Sequence, residues 1–82
     1  MRIKGVSATF VVGAISPKEV KISARSDGSI NVQYILEKIG GGGHQASAAA
    51  QLKNRTISEA VLILKEVISQ NINDARALKK NS

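Results

Sequence analysis

Four consecutive glycines, Gly40, Gly41, Gly42 and Gly43, run directly into His44, the one histidine of the chain, and a train of small residues follows it. With no side chain in front of them, successive backbone N–H groups are accessible, and glycine tolerates the φ > 0 conformations that turn them toward one point. A phosphate is the natural occupant of such a concavity, the more so where a helix N-terminus comes next. At its mouth, the His44 imidazole would donate to a phosphate oxygen or change protonation with the anion. Upstream, Arg25 ends an alternating strand pattern beside Ser26-Asp27-Gly28-Ser29, where a guanidinium can clamp a phosphate with two parallel donors. The start of the following helix, Ser29 to Asn31, is a second position for an anion.

Each of these residues also has a plainer reading. A glycine run can be a flexible linker. Linkers, however, continue into Ser, Pro or charge, whereas this one leaves an apolar helix pattern and enters His44 and alanines. Gly40 has an ordinary duty as the residue that ends the helix, which leaves Gly41, Gly42 and Gly43 to explain. A lone histidine can be structural, and a strand arginine can simply be solvated.

Composition narrows the classes of function. Eighty-two residues with 43% apolar content make one small domain with an aliphatic core, since there is one Phe and one Tyr. Cysteine is absent, so disulfides and thiolate metal sites are excluded. Asp occurs only at 27 and 74, and Glu19, Glu37, Glu59 and Glu66 fall on solvated patterns, so neither paired carboxylates nor a metal-ligand spacing can be read. The chain is not expected to catalyse a reaction alone or to hold a cofactor. A net charge of +6 favours anionic partners, nucleotides first, although basic surfaces also serve solubility. No apolar run is long enough to cross a bilayer, so no membrane contact is expected.

The elements that must position these groups follow from periodicity. Gly5 to Ile15 alternates with Ala8, Phe10 and Val12 on one side, and Val20, Ile22 and Ala24 alternate with Lys21, Ser23 and Arg25. With Ser16-Pro17-Lys18-Glu19 between them, the two runs predict an antiparallel hairpin. From Ile30 the period changes: Val32, Ile35, Leu36 and Ile39 predict a helix capped by Ser29 or Asn31 and stopped by the glycines. The alanine-rich stretch predicts one helical turn near His44 to Ala48, then a strand from Ala49 to Lys53. Thr56-Ile57-Ser58-Glu59 is a capping box opening a second helix with Ile57, Ala60, Val61, Leu64 and Ile68 buried, fading near Asn71. The result is an α+β domain over residues 1–72, in the order β-β-α-β-α, with both helices on one face of a small sheet of three or more strands. If the third strand lay parallel to the second, its crossover would be right-handed. Residues 73–82 are expected to fray as a tail.

Ile22-Ser23-Ala24-Arg25-Ser26, Gly28-Ser29-Ile30-Asn31-Val32-Gln33 and Glu37-Lys38-Ile39 before Gly40-Gly41-Gly42-Gly43-His44 together resemble the DHHA1 domain, the C-terminal substrate-binding lobe of DHH/DHHA1 phosphoesterases. The wording is most similar to that of membrane-associated cyclic-di-AMP phosphodiesterases, and the likeness covers about Val6 to Ser69. The resemblance implies a two-lobe enzyme in which a DHH lobe elsewhere in the parent chain holds catalytic manganese ions. In this lobe Gly41, Gly42, Gly43 and His44 match the family's nucleotide-binding motif. Arg25 and Ser26 match its second segment, and Asn31 belongs to the same stretch. The implied ligand is an adenine nucleotide or cyclic dinucleotide, and the implied location is the cytoplasm, on a parent protein anchored in the membrane. Within the family the alternative is the lobe of a short-RNA or single-strand exonuclease, or of an adenosine-bisphosphate phosphatase. The sequence has few aromatics on which to stack a run of bases. From another class comes a basic interaction or dimerisation module.

Overall fold

A computed structural model describes residues 8–28 and 30–80, with 72–80 as backbone only. The alternating runs form a hairpin of β1 (Ala8–Ser16) and β2 (Glu19–Ser26), antiparallel with Phe10 opposite Ala24 and Val12 opposite Ile22. Successive side chains of a strand point to opposite faces, so Ala8, Phe10, Val20, Ile22 and Ala24 all enter the core. The expected strand began at Gly5, and residues 5–7 lie outside the described ones.

Next comes α1 (Val32–Glu37), whose Val32, Ile35 and Leu36 are buried. Asn31 is its N-cap, accepting the Tyr34 N–H at 3.1 Å, while Ser29, the other predicted cap, is outside the described residues. The helix ends as its glycine predicts. Gly40, at φ 88°, donates to the Glu37 carbonyl at 3.2 Å, and Gly41 donates to the Leu36 carbonyl at 2.8 Å, the paired bonds of a Schellman motif.

The stretch after α1 departs from expectation. In place of a helical turn at His44 to Ala48, Gly42–His44 forms a short strand, β3, which turns at Gln45 and Ala46 into β4 (Ser47–Lys53). Alanine's intrinsic preference for helix is a fraction of a kcal/mol per residue, and burial outweighs it: Ala48 and Ala50 are buried while Ser47 and Gln51 are exposed, the period of a strand. β4 runs antiparallel to β2, with Ile22 opposite Ala50, so the right-handed crossover considered for a parallel pair does not arise.

The sheet order is β1-β2-β4-β3 and the element order is β-β-α-β-β-α, closed by α2 (Ile57–Lys80). Its capping box is complete, with Thr56 N–H donating to Glu59 Oε1 at 2.9 Å and Glu59 N–H to Thr56 Oγ1 at 3.2 Å. Ala60, Leu64, Val67 and Ile68 are buried, but Ile57, expected in that stripe, is 45% exposed at the first turn. The helical backbone also continues past Asn71 to Lys80.

Helix α1 packs under β4 and β3, and α2 under β1 and β2. Phe10, Ile22, Ile35, Leu36 and Leu64 meet between sheet and helices, each contributing about 1.5–3 kcal/mol by burial. Both helices therefore cover one face. Among the described residues nothing covers the other face, where Val11, Lys21 and Arg25 are exposed.

Candidate functional site on the open face of the sheet

Cross-strand register decides what the open face presents. His44 of β3 stands opposite Ser47 of β4, Ser47 opposite Arg25 of β2, and Arg25 opposite Thr9 of β1. Directly paired residues point the same way, so His44, Ser47, Arg25 and Thr9 form one row across four strands. With strands about 4.8 Å apart, Arg25 and His44 lie about 10 Å from each other at their Cα atoms. Both are exposed. The fold thus brings the two side chains singled out by the sequence onto one surface, with the hydroxyl of Ser47 between them. Ser47 was missed in the sequence because nothing but strand register marks it.

The tip of the β3–β4 hairpin is tied to the elements around it. Ser26 N–H donates to the Ala46 carbonyl at 2.9 Å, and Val32 N–H donates to the Gln45 carbonyl at 3.0 Å. These bonds clamp the hairpin to the end of β2 and the start of α1, which holds His44 in register with Arg25.

Ser26 and Asn31 carry structural bonds in the adjoining segment. Ser26 falls on the core side of β2, half-buried, and its Oγ accepts from Gly28 N–H at 3.0 Å and Ile30 N–H at 3.4 Å. Asn31 spends its Oδ1 on capping α1, leaving its amide nitrogen as a donor. Both shape the loop between β2 and α1 that follows Arg25.

The glycine corner divides between a helix end and an edge strand. Gly40 and Gly41 already donate to the end of α1, and Gly42 and Gly43 are paired in β3. Gly41 and Gly43 are required by close approach. A Cβ on Gly41 would run into the Ala49 carbonyl oxygen and stand 2.6 Å from Ala50 Cβ. On Gly43, at φ 147°, it would stand 2.6 Å from Ala48 Cα. Gly42 is the exception, since a Cβ there would meet nothing within 4 Å. Paired with Ala49, it lies on the open face beside the His44 row, so it is the one glycine of the four that neither backbone conformation nor packing explains.

Among the described residues, no group of three or more His, Cys, Asp or Glu could hold a metal ion, and no helix is long and apolar enough to cross a membrane. The row presents an arginine, a hydroxyl and an imidazole, with Gly42 beside it.

The sequence profile of the DHHA1 domain matches residues 1–74. The chain belongs to the DHHA1 family. It is 55% identical over 60 residues to the cyclic-di-AMP phosphodiesterase PdeA of Listeria monocytogenes, covering 73% of this chain and 9% of that protein. With the cyclic-di-AMP phosphodiesterase GdpP of Geobacillus thermodenitrificans it shares 48% over 68 residues, covering 83% of this chain and 10% of the relative. The bifunctional oligoribonuclease and PAP phosphatase NrnA of Thermus thermophilus is 38% identical over 56 residues, covering 68% and 17% respectively. This DHHA1 domain therefore spans between about a tenth and a sixth of the length of those relatives.

Proposed function

We propose that this DHHA1 domain is the nucleotide-binding lobe of a phosphodiesterase acting on cyclic di-AMP or linear adenine dinucleotides. The observation that carries the reading is the row His44, Ser47, Arg25 on an uncovered sheet face. The Arg25 guanidinium takes two oxygens of one phosphate, and a His44 ring N–H donates to a second anionic oxygen across Ser47. Gly42 lets the ligand approach the β3 edge without meeting a side chain. The relatives named as cyclic-di-AMP phosphodiesterases support that ligand.

Hydrolysis itself is assigned to a DHH lobe elsewhere in the parent chain. That lobe would hold the manganese ions, since this domain lacks a ligand cluster among its described residues. The parent protein would work in the cytoplasm. In the parent enzyme, Arg25→Ala and His44→Ala should each lower turnover or affinity about tenfold or more, because a charge-assisted hydrogen bond contributes about 1.5–3 kcal/mol. Metal content should stay unchanged. Ordinary kinetics in both variants would overturn the reading.

The likeness to NrnA favours a second reading, the lobe of an oligoribonuclease or of an adenosine-bisphosphate phosphatase. Phe10 is fully buried, and the ring of Tyr34 on α1 carries the Lys38 ammonium 4.7 Å from its centroid. An exonuclease built on this lobe would therefore grip phosphates rather than stack bases, and its binding would weaken steeply with salt. A basic interaction module, the reading from another class, would show no response to any nucleotide.

A further inference from the structure

The open face does not end at the Arg25 row. Lys21 lies on the same side of β2, four residues from Arg25, hence about 13 Å along the strand. Both are exposed, and among the described residues neither forms an ion pair. Between them the surface is low, with Ser23 opposite Ala49 and Ala49 opposite Gly42. Beyond Lys21, Glu19 stands opposite Lys53, so a carboxylate closes the track at that end and offsets the last cation.

We propose that Lys21 is a second phosphate subsite, reached from the Arg25–His44 row along a shallow track on β2 and β4 by a linear oligonucleotide longer than a dinucleotide. This rests on the nucleotide reading of the Arg25–His44 row and extends it. Phosphates recur about every 3.4 Å in a stacked strand and at about twice that when it is stretched. The 13 Å step therefore spans roughly two to four phosphates. A dinucleotide seated at Arg25 does not reach Lys21, whereas a tetramer or hexamer does. With no aromatic on this face among the described residues, the track reads phosphates and tolerates any base. Glu19 sets its far limit.

The test is fluorescence anisotropy of end-labelled oligoadenylates, two and six nucleotides long, titrated with this chain at several salt concentrations. The hexamer should bind more tightly than the dinucleotide. Lys21→Ala should weaken the hexamer about threefold or more at low salt and make its salt dependence shallower by about 0.7 in slope, with the dinucleotide unchanged. Glu19→Gln should tighten the hexamer alone, and Arg25→Ala should weaken both lengths. Equal affinity of the wild-type chain for the two lengths would overturn the subsite while leaving the nucleotide reading in place, as would a Lys21→Ala effect equal on both or absent. If neither length binds the wild type, the nucleotide reading falls and the subsite with it.

Discussion

The two ends of the sheet carry similar ingredients put to different use. At one end, Arg25 and His44 flank Ser47 in one exposed row across the sheet. At the other, Pro17, Lys18, Asn54, Arg55, Thr56 and Glu59 line a cavity of about 300 Å³ with two cations at its wall and the N-terminus of the longer helix beside it. On shape and charge alone the cavity is the better anion site. Part of its polar surface is already engaged, however: Glu59 places a carboxylate on the Thr56 N–H, and Asn54, at φ 59°, donates its N–H to the Lys18 carbonyl at 2.6 Å. Thr56 lowers the Glu59 pKa through backbone and side-chain hydrogen bonds, so at neutral pH an incoming anion meets a negative charge. At the Arg25 end α1 has no acidic residue in its first turn, and both Arg25 and His44 are exposed. What separates the two ends here is the Glu59 carboxylate at the wall of the cavity.

The comparison can be broken first through its glycines. Gly41→Ala forces a methyl into the backbone of β4 and should cost about 3 kcal/mol by urea denaturation. Gly13→Ala, on β1 in open space, should stay within about 0.5 kcal/mol or stabilise. Equal effects would mean that β3 is not held as described. Gly42→Ala should behave like Gly13→Ala in stability yet weaken nucleotide binding.

Next in size is binding. Arg25→Ala should cost about tenfold in affinity for cyclic di-AMP, whereas Arg55→Ala, at the cavity, should leave affinity unchanged in calorimetric titration. A loss confined to Arg55→Ala would reverse the assignment of the two ends.

The caps come third. Thr56→Ala removes the box on α2 and should cost about 1 kcal/mol, with nucleotide affinity unaffected. Asn31→Ala should cost a similar amount and also weaken binding, because it loosens the start of α1, to which the tip of the His44 hairpin is bonded.

The smallest effect is a pH dependence. A carboxyl whose folded pKa is depressed stabilises the fold above its unfolded pKa and loses that contribution as pH falls through the folded value. Thermal melts of the wild type should therefore drop further between pH 7 and pH 3 than those of Glu59→Gln, in which the capping geometry persists without the charge. Parallel curves would remove Glu59 as the group that bars anions from the cavity.

Much of this was legible in the sequence, for identifiable reasons. The β1–β2 hairpin carries period-two alternation, α1 carries a 3.6 period with its glycine stop, and the capping box of α2 is written in Thr56 and Glu59. The β3–β4 hairpin was not legible, because glycine has no side chain to show a period and alanine favours helix until Ala48 and Ala50 are buried. The continuation of α2 to Lys80 was likewise hidden, since residues past Asn71 lack an apolar stripe. Arg25 and His44 stood out by type. Their common row did not, because strand register is set by packing among elements distant in the chain. The same gap hid Ser47 and the close approach that leaves no room for a Cβ at Gly41 and Gly43.

The most direct test of the central claim is an amide and imidazole chemical-shift titration of this chain with cyclic di-AMP. The account expects saturable shifts at Arg25, Gly42, His44 and Ser47, with Lys18, Arg55 and Thr56 unmoved. Shifts centred on Lys18, Arg55 and Thr56, or none at Arg25 and His44 at saturating nucleotide, would contradict it.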